Sequence, residues 1–432
     1  MTTRQHRNAA RPHPARSAIP TTVLRSLHRS ALWSCVVGSG VVGLAAQQPQ
    51  FKTGVERILV DVQVVDPQGR PLENLGPSDF EVRLNREPRS IASVEFVRSA
   101  ALDTPAGGQA APRGFTSADA NGGFGAGGRD FVVAVDESSF RASDAPAAIR
   151  AAQGFVEHLA PDDRVGLFTY PVYPHMFPIT TDHRQVWRAL DRVVGTLNPP
   201  STRFHLTPLE VVDIEAGDSE LVKQIAKREC LPGVWQNECI RSIPADANSV
   251  ASQFESNTQM CMKALRQLFS ALDQDPQRKT VVIVSGGMFA SDRVGGRPDV
   301  STLVETLGED AARADANIYV LHLDSSFLNA FSAANASGPS MSPSRSLMRQ
   351  SSAIAVSLDR LAGASGGTLV RVEPGGEERA FQRILRETSA YYLLSVEPAA
   401  NDRDGRRLFI SVKVKVPGAE VRARSSVVVP RR

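Results

Sequence analysis

The stretch FVVAVDESSF, from Phe131 to Phe140, decides the fold of this chain. Five apolar residues run without interruption into Asp136, and Ser138 and Ser139 follow it closely. A continuous apolar run of this length is typical of a strand that is buried on both faces, as in a parallel sheet. We therefore expect a buried strand that delivers a carboxylate and two hydroxyl groups to the carboxyl edge of a sheet.

Strand-like and helix-like segments alternate along the chain after this stretch. Residues 145–160 carry apolar residues at helical spacing, and further helices are predicted at HRQVWRALDRVV, NTQMCMKALRQLFSALDQ, LVETLGEDAARAD and SLDRLAGASGG. Apolar runs at DRVGLFTYP, KTVVIVSGG, ANIYVLHLD and TLVRVE predict the strands between them. Helices between buried strands form parallel crossovers, so the pattern predicts a doubly wound, mostly parallel α/β domain over residues 129–373.

Two segments interrupt this alternation. Residues 199–257 contain LTPLEVVDIEAGDSELVKQIAKREC, whose helix-like pattern predicts an inserted helical lobe. Residues 329–352 are rich in Ser, Ala and Pro, which favours a mobile loop.

Both ends of the chain beyond the leader have the alternating pattern of half-buried strands. Residues 55–98 place an apolar residue at every second position from Ile58 to Val64. Residues 388–430 contain AYYLLSVEP, RRLFISVKVKV and AEVRARSSVVV, separated by turn residues. We expect the two sets to pair in an accessory, sandwich-like β domain. Residues 99–128, rich in Ala, Gly and Pro, show no periodicity and predict a flexible linker.

Residues 1–46 are typical of an export signal. Six arginines precede the short run ALWSCVVGSGVVGLAA, which ends in small residues before Gln47. The run is too short and too rich in glycine to favour a permanent membrane span, so we expect cleavage and no span in the mature chain. The protein would then be periplasmic, envelope-associated or extracellular. An uncleaved N-terminal anchor is the main alternative, and LWSC, ending at Cys35, is a weak match to a lipoprotein box.

Composition and cysteine usage fit an exported globular protein. The 432 residues are 42% hydrophobic and 22% charged, and the net charge of +3 offers no case for a nucleic-acid partner. Cys230 and Cys239 bracket the turn-rich segment LPGVWQNE, which predicts a disulfide between them. Unpaired buried thiols and a metal site are the alternatives, and the pairing of Cys261 is left open.

The order of these segments resembles the von Willebrand factor type A (VWA) fold, and the chain looks most like the VWA-related domain proteins common in Acidobacteria. The likeness extends from about residue 55 to residue 429. It is carried by VDVQVVDPQGRPLENLGPSDFEV, VVAVDESSF, LTPLEVVDIEAGD, KTVVIVSGG, LAGASGGTL, SAYYLLSVEP and DRDGRRLFISVKV.

The resemblance implies a metal-ion-dependent adhesion site, in which Asp-x-Ser-x-Ser, a later Thr and a later Asp hold Mg²⁺. Asp136 and Ser138 match the first two positions, but Phe140 occupies the third, where no ligand atom is available. Thr207, or alternatively Thr202, would be the threonine. Ser285 stands at the end of the strand VVIVSGG, where the family has an aspartate. The resemblance therefore implies a degenerate site that binds Mg²⁺ weakly, unless Glu137, Asp292 or Asp324 completes it.

The expected function is non-enzymatic recognition of another protein, or adhesion, at the cell envelope. The binding residues implied are those of the carboxyl edge, namely Asp136, Ser138, Ser139, Ser285 and Asp324. A secreted hydrolase that uses the same edge is the alternative. The sequence GASGG around Ser365 has the form of a nucleophile elbow, but a helix precedes it and a strand follows, the reverse of the order that such an elbow needs. The sequence does not name the partner.

Overall fold

The chain folds as an α/β domain with antiparallel strands contributed by both of its ends. The computed structural model describes residues 57–98, 128–198, 202–233, 236–275, 277–291, 293, 295–324, 343–372 and 376–429. The predicted signal peptide, all but the last residue of the predicted linker, and Asp292 lie outside the described residues.

The bounds of the strands and helices, numbered along the chain, are as follows. The strands are β1 Ile58–Val65, β2 Phe80–Leu84, β3 Glu87–Arg89, β4 Ile91–Arg98, β5 Asp130–Asp136, β6 Arg164–Tyr170, β7 His175–Thr180, β8 Lys279–Ser285, β9 Ala316–Leu323, β10 Leu369–Val372, β11 Ala390–Val396, β12 Arg407–Val414, β13 Glu420–Ala423 and β14 Ser426–Val428. The helices are α1 Ala145–Glu157, α2 His183–Leu190, α3 Pro208–Glu215, α4 Ser219–Glu229, α5 Gln236–Leu272, α6 Ser301–Arg313, α7 Pro343–Ala364 and α8 Glu377–Glu387.

A six-stranded sheet in the order β10-β9-β8-β5-β6-β7 forms the centre of the α/β domain. The strand β5 lies in the middle and pairs in parallel with β6 on one side and with β8 on the other. The prediction of a mostly parallel sheet is confirmed. One strand was not predicted: β7 pairs antiparallel with β6 at the edge of the sheet. It contains Pro178, which is tolerated at an edge because an edge strand leaves one row of N–H groups unpaired.

Helices cover both faces of this sheet, as the doubly wound prediction requires. Alternate residues of β5 point to opposite faces: Phe131 and Val133 pack in one apolar cluster, and Val132 and Ala134 pack in another. The first cluster includes residues of α1, α2 and α8, such as Phe155, Leu190 and Ile384. The second includes residues of α5, α6 and α7, such as Leu265, Leu307 and Leu361. Every residue of β5 and β8 is buried as a result.

The strands at the two ends of the chain form two four-stranded antiparallel sheets. In one sheet β1 pairs with β11 and β13, and β4 pairs with β11. In the other β12 pairs with β2 and β14, and β3 pairs with β2. A single apolar core lies between the sheets, with Val60 and Leu394 from the first and Val82 and Leu408 from the second. These sheets form the accessory β domain of the fold.

The lobe within residues 199–257 consists of α3, α4 and the first half of α5. The three helices share an apolar core that includes Ile225 and Ile243. Cys230, which follows α4, forms a disulfide with Cys239 in the first turn of α5, and Cys261 is free and buried. The helix α5 continues without a break through residue 257, so the predicted end of the insertion lies inside a helix. Its second half packs against the central sheet.

The helix α7 also begins earlier than the sequence suggested. It starts at Pro343, inside the segment 329–352 that was expected to be a loop. Its composition favours a loop, but Ser351, near the end of this segment, is buried in the packed structure. Residues 325–342 lie outside the described part of the chain.

A buried lysine ties the C-terminal ends of two helices together. Lys279, the first residue of β8, is fully buried, and its ammonium group donates hydrogen bonds to the carbonyl oxygens of Leu272 (2.8 Å), Ala314 (3.2 Å) and Asp275. Leu272 ends α5 and Ala314 follows α6, so one positive charge satisfies carbonyls at the negative ends of both helices. Burial lowers the pKa of Lys279.

An ion-paired glutamate joins the α/β domain to the β sheets. Glu387, at the end of α8, is fully buried. It accepts a hydrogen bond from Arg383 Nε (2.8 Å) on the same helix and pairs with Arg422 of β13. Close by, Tyr319 Oη of β9 donates to Gln63 Oε1 of β1 at 2.7 Å. The junction is therefore polar, and Glu387, Tyr319 and Gln63 each have a hydrogen-bond partner there.

No helix in the described part of the chain has the length and apolar character needed to cross a membrane.

Substituting Glu387→Gln should destabilise the protein by about 3 kcal/mol, because it removes the fully buried partner of Arg422 and leaves only the exposed carboxylate of Glu420 beside that guanidinium. The measurement is the free energy of unfolding in urea, followed by circular dichroism. Glu378→Gln is the matched control on the same helix, since its side chain is 59% exposed and exposed ion pairs contribute under about 1 kcal/mol. Equal losses in the two variants would contradict the role assigned to Glu387.

Candidate functional site

The carboxyl ends of β5 and β8 meet at a buried carboxylate. Asp136 is the last residue of β5 and Ser285 the last residue of β8. Because the two strands pair in parallel, these residues lie at the same edge, and Ser285 Oγ donates to Asp136 Oδ2 at 3.1 Å. The sequence thus places a carboxylate and a hydroxyl on neighbouring strand ends, and the fold brings them into contact.

Asp136 also holds the turn that follows it. Its Oδ1 accepts hydrogen bonds from Ser138 Oγ (2.7 Å) and from the backbone N–H of Ser138 (3.2 Å), and residues 137–139 form one turn of 3-10 helix. The carboxyl group is buried, and this burial raises the pKa of Asp136 to about 6, although the hydrogen bonds from Ser138 and Ser285 act in the opposite direction.

Ser139 connects the two strand ends rather than facing the same way as Ser138. Its hydroxyl donates to the backbone oxygen of Asp136 (2.8 Å) and accepts from the N–H of Gly286 (2.8 Å). Gly286 has no room for a side chain, because a Cβ there would lie 2.5 Å from the backbone oxygen of Ser139. The neighbouring Gly287 has φ +130°, and a Cβ there would lie 1.8 Å from Cγ2 of Ile354. Both glycines are therefore needed for the close approach of these segments.

A thiol also lies against this group. Cys261 Sγ, on α5, is 3.4 Å from Ser138 Oγ and 3.9 Å from Asp136 Oδ1. One helical turn earlier, Asn257 Nδ2 lies 3.5 Å from Ser138 Oγ. Sequence reasoning missed both contacts and considered Cys261 only for disulfide pairing. The available signal was the i, i+4 spacing of Asn257 and Cys261, which places both on one helix face. Burial raises the pKa of the Cys261 thiol well above its usual value, so the thiol stays neutral.

The next strand adds a histidine and a second acid. His322 of β9 is fully buried, and its Nδ1 lies 3.3 Å from the backbone oxygen of Ser285. Its Nε2 has no hydrogen-bond partner among the described residues, and burial lowers the pKa of the ring. Asp324, just after β9, accepts a hydrogen bond from Ser351 Oγ of α7. Asp324 therefore belongs to the same edge of the sheet, where it fastens α7.

Thr207, the residue expected to supply a threonine ligand, serves as the N-cap of α3. Its hydroxyl accepts from the N–H of Glu210 (3.3 Å), and the carboxylate of Glu210 accepts from the N–H of Thr207 (2.8 Å). This reciprocal pair is a capping box. The alternative, Thr202, accepts from the N–H of Leu206 (3.0 Å). Among the described residues, neither threonine hydroxyl is hydrogen-bonded to Asp136, so the structure does not bring this part of the predicted site together.

The residues around Asp136 do not fit a Mg²⁺ ion. Such an ion takes about six hard oxygen ligands in octahedral geometry. Here both carboxylate oxygens of Asp136 accept hydrogen bonds from serines, and the thiol of Cys261 lies 3.9 Å from Oδ1. Phe140 at the third motif position is buried. Within the described ranges, no group of three or more His, Cys, Asp or Glu side chains could hold a metal ion.

Ser365, at the centre of GASGG, is buried at the end of α7. Its hydroxyl donates to the backbone oxygen of Ala362 (3.0 Å) and accepts from the N–H of Ile318 (2.8 Å). This serine therefore joins the helix end to β9.

Comparison with known proteins gives only remote likenesses. No protein-family model matches the chain. None of the curated proteins matches it either.

Several solved structures are similar to parts of the chain. One is an aerotolerance-related membrane protein from Bacteroides fragilis NCTC 9343, with 12% identity, 60% of this chain and 99% of that chain covered, and a TM-score of 0.30. A second is proximal thread matrix protein 1 from the mussel byssus, with a zinc-occupied MIDAS motif. Its identity is 8%, with 63% of this chain and 48% of that chain covered and a TM-score of 0.31. A third is the ArnB paralog VWA2 from Sulfolobus acidocaldarius, with 8% identity, 86% of this chain and 76% of that chain covered, and a TM-score of 0.27. Likenesses this remote carry no argument about function, and the architecture rests on the strand order of the chain itself.

The buried carboxyl of Asp136 should make stability depend on pH. Its pKa is about 6 when folded and 3.8 as the reference value for the unfolded chain. Between these values the folded protein holds a proton that the unfolded chain has lost, so stability falls as the pH rises from about 4 to above 6, by about 3 kcal/mol in total. Asp136→Asn cannot ionise and should escape this loss.

Urea unfolding of both proteins between pH 4 and pH 8 measures the effect. The stability of Asp136→Asn relative to the wild type should rise with pH and level off above about pH 7. Asp162→Asn, at an exposed position, is the control and should not show this rise. A constant difference between Asp136→Asn and the wild type would show that the buried carboxyl does not titrate in this range.

Proposed function

We propose that this chain is an exported, non-enzymatic protein that binds another protein at the cell envelope through the carboxyl edge of its central sheet. The sequence resemblance to VWA-related proteins supports the class of function. The export signal predicted in residues 1–46 supports the location. One observation in the structure carries the choice of surface, namely the exposed apolar side chains around this edge.

These exposed apolar side chains lie on two segments that border Asp136. Val172 and Tyr173 lie in the connection from β6 to β7, two and three residues after Tyr170, which is the register partner of Asp136. The side chain of Tyr173 is 84% exposed. Exposed apolar side chains that cluster mark interaction sites, and tyrosine is enriched among the residues that contribute most binding energy.

The second segment follows α2 and contains Val194 and Leu197, which are also exposed. The N–H of Thr196 donates to the backbone oxygen of Glu137 at 2.7 Å, and the N–H of Leu197 donates to that of Phe140 at 2.8 Å. These bonds fix the segment beside the turn that Asp136 caps. The segment that carries Val194 and Leu197 is therefore held in position by hydrogen bonds between its backbone and that of the turn.

Replacing Tyr173 should remove partner binding without unfolding the protein, because this side chain is exposed and packs little against the fold. The full-length protein, tagged at its C-terminus and expressed in its own host, serves as bait for chemical crosslinking and affinity capture from envelope fractions. A partner captured by the wild type should be lost, or reduced about tenfold or more, with the pair of substitutions Val172→Ser and Tyr173→Ser.

Phe409→Ser is the control, since Phe409 is an exposed aromatic residue on β12 of the accessory β domain. It should capture the partner as the wild type does. Loss of the partner in both variants, or in neither, would count against the carboxyl edge as the binding surface.

A degenerate adhesion site is part of the proposal, and it has its own test. Because the group around Asp136 offers one carboxylate and a thiol, calorimetry should show no binding of Mg²⁺ or Mn²⁺ tighter than about millimolar. Partner capture should then be the same in EDTA as in Mg²⁺. Submillimolar binding of either ion would contradict the degenerate site.

Export is tested by the N-terminal sequence of the native protein. We expect the mature chain to begin near Gln47, because small residues precede it in the pattern of a cleaved signal. A protein that retains its first 46 residues would support the alternative of an uncleaved anchor.

A further inference from the structure

A cleft of about 440 Å³ lies between α5 and α6. It is lined by charged and polar side chains of both helices, with apolar atoms of Met262, Phe269 and Leu303 beneath them. Clefts of this volume are within the range of sites for small molecules. Lys279 fixes the C-terminal ends of these same two helices, so the walls of the cleft are held in place at that end.

Two arginines are held at the mouth of the cleft by one buried acid. Asp310 of α6 accepts from Arg266 Nε of α5 at Oδ2 (2.7 Å) and from a terminal nitrogen of Arg313 at Oδ1. Its side chain is only 8% exposed, whereas those of Arg266 and Arg313 are 57% and 66% exposed. Since each guanidinium group has five N–H donors, both keep donors that face the cleft and the solvent.

A third positive charge completes the group. Lys263 precedes Arg266 by one helical turn on α5, so the two side chains lie on the same helix face. Lys263 is exposed and forms no hydrogen bond or ion pair with the described residues. Asp310 offsets one of the three positive charges. The other acid of the cleft, Asp273, lies seven residues from Arg266 along α5, which is about 10 Å.

We propose that this cleft binds a small organic molecule that carries a phosphate or carboxylate group. The anionic group contacts Lys263, Arg266 and Arg313, and the body of the ligand lies over Leu303. Asp310 orients the guanidinium groups before the ligand arrives, and arginine presents the paired N–H donors that match planar or tetrahedral oxyanions. This site is independent of the carboxyl edge, and it can fail while the proposed protein interaction holds.

Calorimetry on the full-length protein tests the site with three probes of similar size. Phenyl phosphate and benzoate carry the two candidate anionic groups, and benzylamine carries the opposite charge. Both anions should bind more tightly than benzylamine by about tenfold or more, and the tighter of the two identifies the head group. Lys263→Gln should weaken binding of the anions by about tenfold, since it removes one charged contact. Ser270→Trp, at an exposed position of the lining, should weaken binding by filling the cleft.

Lys223→Gln, which removes an exposed lysine of α4, is the control and should bind as the wild type does. Thermal unfolding of each variant checks that it is folded, and the two cleft variants test the site independently of each other. The proposal is wrong if neither anion binds up to about 10 mM, a range that includes weak ligands of this size. It is also wrong if benzylamine binds equally well or if both cleft variants bind as the wild type does.

Discussion

The structure depends on one constraint: β5 and β8 end inside the protein, so every polar group at their carboxyl ends must find a partner there. Asp136 is the largest of these groups, and its carboxyl would be costly to bury alone. Ser138 and Ser285 satisfy its oxygens, and Ser139 satisfies the backbone on either side. The turn after β5 and the close approach of Gly286 follow from this requirement.

The same requirement explains how the side chains around Asp136 are arranged. In an adhesion-site motif the serine hydroxyls and the carboxylate would face a cation. In this chain they face one another and Cys261, and burial raises the pKa of Asp136 to about 6. The edge has the polar residues expected of a ligand site, but their hydrogen bonds are directed inward. Recognition at this edge would then depend on the apolar side chains around it.

The sequence was sufficient to predict those elements of the fold that a short run of residues specifies by its hydrophobic pattern. The uninterrupted apolar run before Asp136 and the alternation of strands and helices were sufficient for the doubly wound sheet. The edge strand β7 was missed because its segment is rich in proline, and only its place at the sheet edge makes Pro178 acceptable. The early start of α7 was missed because the Ser, Ala and Pro content of residues 329–352 favours a loop, and the burial of Ser351 is known only from the packed structure.

In the candidate site, the closeness of Asp136 and Ser138 could be predicted, since they are two residues apart at a strand end. The approach of Ser285 followed from parallel pairing. The contact with Cys261 could not be predicted, because it depends on how α5 lies across the sheet, 125 residues further along the chain. Thr207 has a local role in the structure: a threonine before Pro208 and three residues before Glu210 is itself a helix-start signal, and its hydroxyl caps α3.

The continuity of α5 has a mechanical consequence. Its 37 residues form a rod about 55 Å long, with the disulfide-bonded lobe at one end and the sheet at the other. Asn257 and Cys261 lie beyond the middle of this rod, against Ser138. A displacement of the lobe along the axis of α5 would therefore reach the turn after β5 through these two contacts with Ser138.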